Sequence, residues 1–250
     1  MRKSNTKSEA GVDRPKNWPV VRGCTEVSEG CDHCYVKRLA GTRYKRYYPG
    51  GFHNVTEAPA RLQEVIRVRE QRWYEPAQHA DLFHPKVSND FRLRVFDVMR
   101  QSQRHLFQIC TKYSTRMDDF ISVVLPSEWL GELSHVMLGV SVEKKKYMNR
   151  VYKLSAWPHT TYVEFSPLLE MIRDIDLFGI DWVKIGCETG PGHRKCNLKW
   201  ITTLIDEAKL FQIPVTVTAY YENEKLHGIP VINGRRWAEK PALYHEWRQV

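Results

Sequence analysis

Short apolar runs rich in β-branched residues alternate along this chain with longer amphipathic segments. This alternation is typical of repeated strand–helix units, which build a parallel sheet. Ser88 or Asn89 and Asn197 stand where N-caps are expected. The predicted helices span residues 58–69, 88–101 and 198–211, and the predicted strands span 18–21, 72–78, 105–111, 136–142, 161–165, 182–186 and 215–219.

Seven strands in 250 residues are fewer than a closed eightfold barrel usually needs. We therefore predict one α/β domain, a partial TIM-type (β/α)6-7 barrel of parallel strands over residues 17–221, with a doubly wound sheet as the alternative. Residues 1–16 are predicted to be a disordered basic tail. Residues 222–250 contain several Gly and Pro residues and are predicted to be an irregular C-terminal cap packed on the same domain.

The beginning of the chain lacks the apolar segment of a signal peptide. No apolar run approaches the length of a membrane helix. We therefore expect a cytoplasmic protein that does not bind membranes.

The formal net charge of +9 favours a polyanionic partner. Basic residues and tyrosines are interleaved just after residue 34, so cations for phosphates and rings for bases lie side by side. The alternative is a helix face on which long basic side chains cover apolar surface. The predicted nucleic-acid contacts are Arg38, Arg43, Lys45 and Arg46.

Three cysteines, Cys24, Cys31 and Cys34, follow the pattern C-x6-C-x2-C. In an intracellular chain, cysteines are more often ligands, nucleophiles or core residues than disulfides. A structural zinc site closes with four ligands, and His33 is cramped as a fourth. An iron–sulfur cube held by three cysteines instead leaves one iron free to bind a small molecule. Cys110 and Cys187 fall in apolar strands and are predicted to be core residues.

This arrangement resembles that of radical S-adenosylmethionine (SAM) enzymes, although their usual spacing is C-x3-C-x2-C. Residues 17–35 closely resemble the pattern W-N-P-x-x-G-C-x-x-V-S-x-G-C-x-x-C-Y of a phage-encoded three-cysteine-motif family. Further blocks resemble that family in the same order over roughly residues 16–221. They are D-L-F-H at 81–84, F-Q-I-C-T-K at 107–112, L-G-V-S-V-E at 138–143, P-L-L at 167–169 and D-W-V-K-I-G-C-E-T-G-P-G at 181–192.

The resemblance implies a barrel whose three cysteines hold a [4Fe–4S] cluster at the carboxyl ends of the strands. The open iron would chelate the amino and carboxylate groups of SAM. One electron from a flavodoxin- or ferredoxin-like donor would then cleave SAM to methionine and a 5′-deoxyadenosyl radical. Phage context implies the host cytoplasm and a substrate in DNA, a modified base for example, and leaves open a partner protein.

Polar residues follow the predicted strands and would face the barrel mouth. At two of these strand ends the chain departs from the family pattern. The family has a serine and then a glutamate before P-L-L, whereas this chain has Glu164 and then Ser166. Residues 218–221 read T-A-Y-Y where the family has a lysine. Ser141 and Glu143 could instead cap the next helix. Asp81 and His84 could form an acid/base pair, and the alternative for His84 is a role in a turn. Predicted cofactor contacts are Tyr35, Ser141, Glu143, Glu188 and Thr189, and predicted catalytic residues are Asp81, Glu164 and Tyr220.

The sequence therefore predicts a radical SAM enzyme that abstracts hydrogen from an organic substrate, with isomerase, lyase and transferase chemistry all open. One alternative is a non-catalytic nucleic-acid-binding protein that carries zinc or an iron–sulfur cluster. Another is a radical SAM enzyme that acts on a small metabolite.

Overall fold

A computed structural model describes residues 14–222 and 224–249 of the chain. Most of the predicted N-terminal tail, residues 1–13, lies outside the described residues. None of the helices in the described ranges is both long and apolar enough to span a membrane.

The main element is an eight-stranded sheet in which seven strands are parallel and follow one another in chain order. An eighth strand pairs antiparallel at one edge. The first and last strands of this sheet do not pair with each other, so the barrel is partial and the predicted fold class is confirmed. The sheet contains β1 Lys16–Trp18, β4 Trp73–Pro76, β5 Leu106–Thr111, β6 Val136–Ser141, β7 Thr161–Phe165, β8 Trp182–Gly186, β9 Val215–Glu222 and β10 Lys225–His227, and two small hairpins contain β2 Val21–Arg22 with β3 Thr56–Glu57 and β11 Val231–Ile232 with β12 Arg235–Arg236.

Helices connect the strands. The Ser88 hydroxyl caps the helix Asn89–Gln101 by accepting a hydrogen bond from Phe91 N (3.1 Å). The Asn197 side chain caps the helix Leu198–Leu210 by accepting one from Lys199 N (2.9 Å), and both predicted N-caps are thereby confirmed. The α-helices are α1 Tyr35–Gly41, α2 Leu62–Ile66, α3 Asn89–Gln101, α4 Ser114–Asp119, α5 Asn149–Tyr152, α6 Leu198–Leu210 and α7 Ala242–Trp247.

Two predicted elements need correction. The first strand was predicted at 18–21 but lies at Lys16–Trp18, because Pro19 has no N–H to continue the ladder with β4. The helix predicted at 58–69 is only Leu62–Ile66, after a 3₁₀ turn at Pro59–Arg61. β-branched residues disfavour a longer helix there.

The C-terminal segment closes the amino-terminal end of the barrel. Trp247 of α7 packs with Trp73 and Trp182 and donates its indole N–H to Arg104 O (2.9 Å). The indole N–H of Trp182 donates to Glu239 O (3.0 Å). The barrel interior is thereby shielded from solvent at this end and opens at the carboxyl ends of the strands.

Candidate active site at the mouth of the barrel

A cavity of about 410 Å³ begins at the carboxyl ends of the parallel strands and extends into the barrel. Cys24, Cys31 and Cys34 all line it, together with polar residues of β4 to β9. This is the end of the sheet where parallel α/β barrels carry their active sites.

The three cysteines lie on the connection that follows β1. Cys24 comes two residues after β2, Cys31 ends a 3₁₀ turn that starts at Glu29, and Cys34 immediately precedes α1. All three are half-buried free thiols. Burial, with Asp81 nearby, raises the pKa of the Cys24 thiol to about 12.

The donor set is compatible with an iron–sulfur cluster, because three thiols outside disulfides face one cavity and thiolates are the ligands that such clusters use. In the described part of the chain, no group of three or more His, Cys, Asp or Glu side chains is arranged to hold a metal ion. The cysteines fit a cluster because they are thiols and line the same cavity. They are not arranged in a preformed coordination geometry.

Glu143 connects the cysteine connection to the barrel. Its carboxylate is completely buried and accepts hydrogen bonds from Ser28 Oγ (2.9 Å), Arg150 Nη1 (3.0 Å) and the Lys112 ammonium. Burial lowers the pKa of Lys112, but Glu143 and Cys31 raise it by more, so the net shift is upward. The predicted cofactor contact Glu143 is thus held by three residues of this chain.

Glu188 plays a similar part on the other side of the cysteines. It follows β8 and accepts hydrogen bonds from Arg194 Nη2 (2.5 Å), Nε (3.0 Å) and backbone N (2.8 Å). Arg194 also donates to Glu29 O (2.7 Å), and His33 Nδ1 donates to Gly192 O (2.7 Å). Burial raises the pKa of Glu188, but the hydrogen bonds from Arg194 lower it by more. The net shift of the pKa is downward, so the carboxylate stays ionised. The 187–197 loop therefore holds the cysteine connection through charge-assisted bonds.

Asp81 and His84 lie on the loop after β4, where His84 N donates a backbone hydrogen bond to Asp81 O (3.2 Å). Their side chains bond to other partners and, in the described residues, not to each other. Asp81 is buried and accepts hydrogen bonds from Thr111 Oγ1 (2.7 Å), Lys112 N (3.0 Å) and Phe83 N (2.9 Å). Burial nevertheless raises its pKa above the ordinary value. Asp81 lines the cavity, and its catalytic role stays a prediction.

His84 supports the residue next to Cys24. Its Nδ1 accepts a hydrogen bond from Lys86 N (3.1 Å), so in the neutral ring the proton is on Nε2, which lies 2.9 Å from Thr25 Oγ1. Burial lowers the pKa of His84, which favours this neutral form. The ring therefore positions the loop at Thr25.

Charged side chains also lie deeper in the barrel. Lys184 Nζ donates to Glu164 Oε2 (3.0 Å), and Gln78 Nε2 donates to Glu75 Oε2 (2.8 Å). Burial raises the pKa of Glu75 to about 7. The positive charge of Lys184 opposes this rise, and the negative charge of Glu164 adds to it. All four line the cavity, and the near-neutral acid Glu75 lies near Glu164. The catalytic role of Glu164 stays a prediction.

The other predicted cofactor and catalytic residues differ in position. Ser141 ends β6, lines the cavity and donates to Ser166 O (3.0 Å). Tyr35 begins α1 and lines the cavity with 41% of its surface exposed. Thr189 is half-buried after β8. Tyr220 is half-buried on β9 and is not among the residues that line the cavity.

The predicted nucleic-acid contacts Arg38, Arg43, Lys45 and Arg46 are all exposed, and they lie on α1 and the turn after it. The guanidinium of Arg46 stacks on the Tyr47 ring (4.6 Å to the centroid). Basic and aromatic groups therefore share one exposed segment that begins at the last cysteine.

Sequence reasoning missed several residues of this site. Glu75, Gln108 and Lys184 are polar residues inside otherwise apolar strands, and alternation along each strand would have placed them on the inner face. Arg150 and Arg194 lie outside the strand ends, and no sequence signal marks their partners.

The fold and the site define a class of protein: a parallel α/β partial barrel with three free cysteines at its mouth. The chain belongs to the family described as "Protein of unknown function (DUF5131)", whose model matches residues 14–241. A search of curated proteins gave no match.

Among solved structures, the chain is similar to a point mutant of spore photoproduct lyase, with a TM-score of 0.51, 10% identity, and 82% of this chain and 76% of that chain covered. A double mutant of the same enzyme with bound AdoMet and dinucleoside spore photoproduct matches with a TM-score of 0.47, 11% identity and coverages of 82% and 64%. At 10% identity, the likeness to the first of these structures shows a shared fold. Phage origin remains a prediction.

Proposed function

We propose that this protein is a radical SAM enzyme in which Cys24, Cys31 and Cys34 hold a [4Fe–4S] cluster at the barrel mouth. Once bound, the cluster would supply the electron that cleaves SAM to a radical able to abstract hydrogen from an unreactive carbon. The substrate in this proposal is a base of DNA, and the electron donor is a flavodoxin- or ferredoxin-like protein.

One observation carries the proposal. Three free, half-buried thiols follow the first strand of a parallel partial barrel and line the same cavity as the strand-end residues. The fold that the chain shares with a lyase also supports it.

The charged groups around the cysteines mainly position the segment that carries the three thiols. Glu143 and Glu188 each join the cysteine connection to a strand end, through Ser28 and Lys112 in one case and through Arg194 in the other. Ser141 and Tyr35 line the cavity and are the residues that would contact the bound cofactor. Thr189, next to Glu188, is a further candidate contact.

The lower cavity, which is the part lined by Glu75, Gln108, Glu164 and Lys184, would hold the substrate. Asp81 lines the mouth above it, and the tryptophan-rich closure by α7 keeps water from entering at the opposite end. A base in DNA would have to leave its stack to reach this depth. The exposed segment with Arg38, Arg43, Lys45 and Arg46 would then contact phosphates near the mouth.

The test is a SAM cleavage assay on anaerobically reconstituted protein with dithionite, in which 5′-deoxyadenosine is measured. We expect product from wild type and from Cys196→Ala, whose thiol does not line the cavity, and none from Cys31→Ala. Iron-loaded wild type that leaves SAM intact would overturn the proposal.

The DNA substrate has its own test. Binding to a single-stranded oligonucleotide should weaken steeply with salt and should weaken further when Arg43, Lys45 and Arg46 are replaced by Gln. Binding that does not respond to either change would favour a small metabolite.

A further inference from the structure

The most unusual polar group in the barrel is the side chain of Gln108. It lies on β5 with none of its surface exposed, and it lines the cavity. Neither its Oε1 nor its Nε2 has a hydrogen-bond partner among the described residues. Because a buried amide without partners destabilises a fold, a protein that retains one invites a functional explanation.

Two neighbouring side chains share this property. The indole N–H of Trp73 on β4 and the hydroxyl of Tyr162 on β7 are buried and lack partners in the described residues. The Tyr162 ring is held against Gly139, where an added Cβ would stand 2.4 Å from Cζ. The hydroxyl lies close enough to the Gln108 amide to interact with it, but the two groups do not meet the geometry of an ordinary hydrogen bond. Polar atoms on β4, β5 and β7 therefore lie in the barrel interior without hydrogen-bond partners among the described residues.

The charged groups of the lower cavity are, in contrast, engaged with one another. Lys184 pairs with Glu164, and Glu75 accepts from Gln78. The rings of Trp73 and Trp182 also line the cavity, with centroids 6.3 Å apart, and the Lys240 ammonium lies 4.9 Å over each of them. The unsatisfied amide therefore faces a space bounded by aromatic rings.

We propose that Gln108 recognises the edge of a flat heterocycle that presents a hydrogen-bond donor beside an acceptor, as the lactam or amidine edge of a nucleobase does. A primary amide offers one acceptor and one donor side by side, so it pairs through two bonds only with such an edge. Aromatic walls suit a planar ring. The inference deepens the proposed function, since it names the substrate edge that the active site reads.

The experiment measures binding by isothermal titration to the full-length protein, before and after cluster reconstitution. The probes are uridine for a lactam edge, cytidine for an amidine edge, and 3-methyluridine, in which a methyl group replaces the lactam N–H. The same bases in a short single-stranded oligonucleotide distinguish a base in a strand from a free nucleoside. The variants are Gln108→Leu and, as a matched control on the exterior, Gln63→Leu.

We expect uridine or cytidine to bind wild type and Gln63→Leu, free or within the oligonucleotide. Gln108→Leu should bind the same probe about tenfold more weakly or worse, while its melting temperature rises because an unsatisfied amide is removed. If uridine is the ligand, 3-methyluridine should bind wild type at least about tenfold more weakly.

Two results would overturn the inference: wild type that binds none of the probes, or Gln108→Leu that binds as tightly as wild type. If Gln108→Leu does not fold, the comparison of uridine or cytidine with 3-methyluridine on wild type decides alone, and equal affinities overturn the inference. Binding needs neither cluster nor SAM, so failure here is distinct from failure of the SAM cleavage assay.

Discussion

Gly30 lies directly against the buried carboxylate of Glu143. A Cβ atom on Gly30 would stand 2.4 Å from Cγ and 2.7 Å from Oε1 of Glu143. Glu143 cannot move aside, because Lys112 and Arg150 hold its carboxylate. The residue before Cys31 therefore needs to be glycine for steric reasons, and this contact sets how closely the cysteine connection approaches β6.

Gly30→Ala should displace the cysteine connection from the barrel. We expect a loss of about 1–3 kcal/mol in the free energy of unfolding, because overpacking forces the neighbours to shift. Urea unfolding measures it, and iron bound per chain after reconstitution should fall as well. Gly41→Ala is the control, since an added Cβ there meets nothing within 4 Å. Equal stability and equal iron in both variants would contradict the contact.

Glu143→Gln should destabilise the protein far more than an ordinary surface change. It would leave the charges of Lys112 and Arg150 beside a neutral buried side chain, and removing one partner of a buried ion pair costs about 3–5 kcal/mol. The exposed Glu128→Gln should stay within about 0.5 kcal/mol of wild type. Similar urea midpoints for the two variants would show that the Glu143 pairs contribute little.

Arg194→Lys should loosen the connection between the 187–197 loop and the cysteines. Lysine cannot reproduce the fork that binds both Glu188 oxygens and Glu29 O together. We expect a loss of about 1–3 kcal/mol and faster release of iron to a chelator from reconstituted protein. Arg173→Lys is the control, because its pair with Asp174 is exposed on both sides. Unchanged iron release would argue against a positioning role for Arg194.

Glu75 should make stability depend on pH in a defined direction. Its pKa is about 7 in the fold against an ordinary value of 4.5, so folding favours the protonated form. The stabilisation that this shift in pKa provides is complete below the ordinary pKa of 4.5 and is lost as the pH rises through about 7. Relative to Glu75→Gln, wild type should lose up to about 3 kcal/mol between about pH 4.5 and 7.5. A difference between the two proteins that does not change with pH would contradict a raised pKa for Glu75 in the folded protein.

The sequence predicted the strands best where apolar runs are bounded by polar residues. The predicted bounds of β7 and β8 match the structure, whereas the first strand was misplaced, because Pro19 interrupts its pairing. The cysteines were visible from their spacing and do line one cavity. The lower cavity was not predicted. Alternation places Gln108 and Lys184 on the inner face of their strands, but which residues share one cavity depends on the register of strands β5 to β8.

Metal analysis and electron paramagnetic resonance of the reduced protein, recorded with and without SAM, test whether the three thiols of the barrel mouth hold a cluster whose open iron binds SAM. We predict about four irons per chain and a spectrum that changes when SAM is added, with both lost in Cys24→Ala. Protein that holds zinc instead of iron, or an iron signal that SAM leaves unchanged, would contradict the claim.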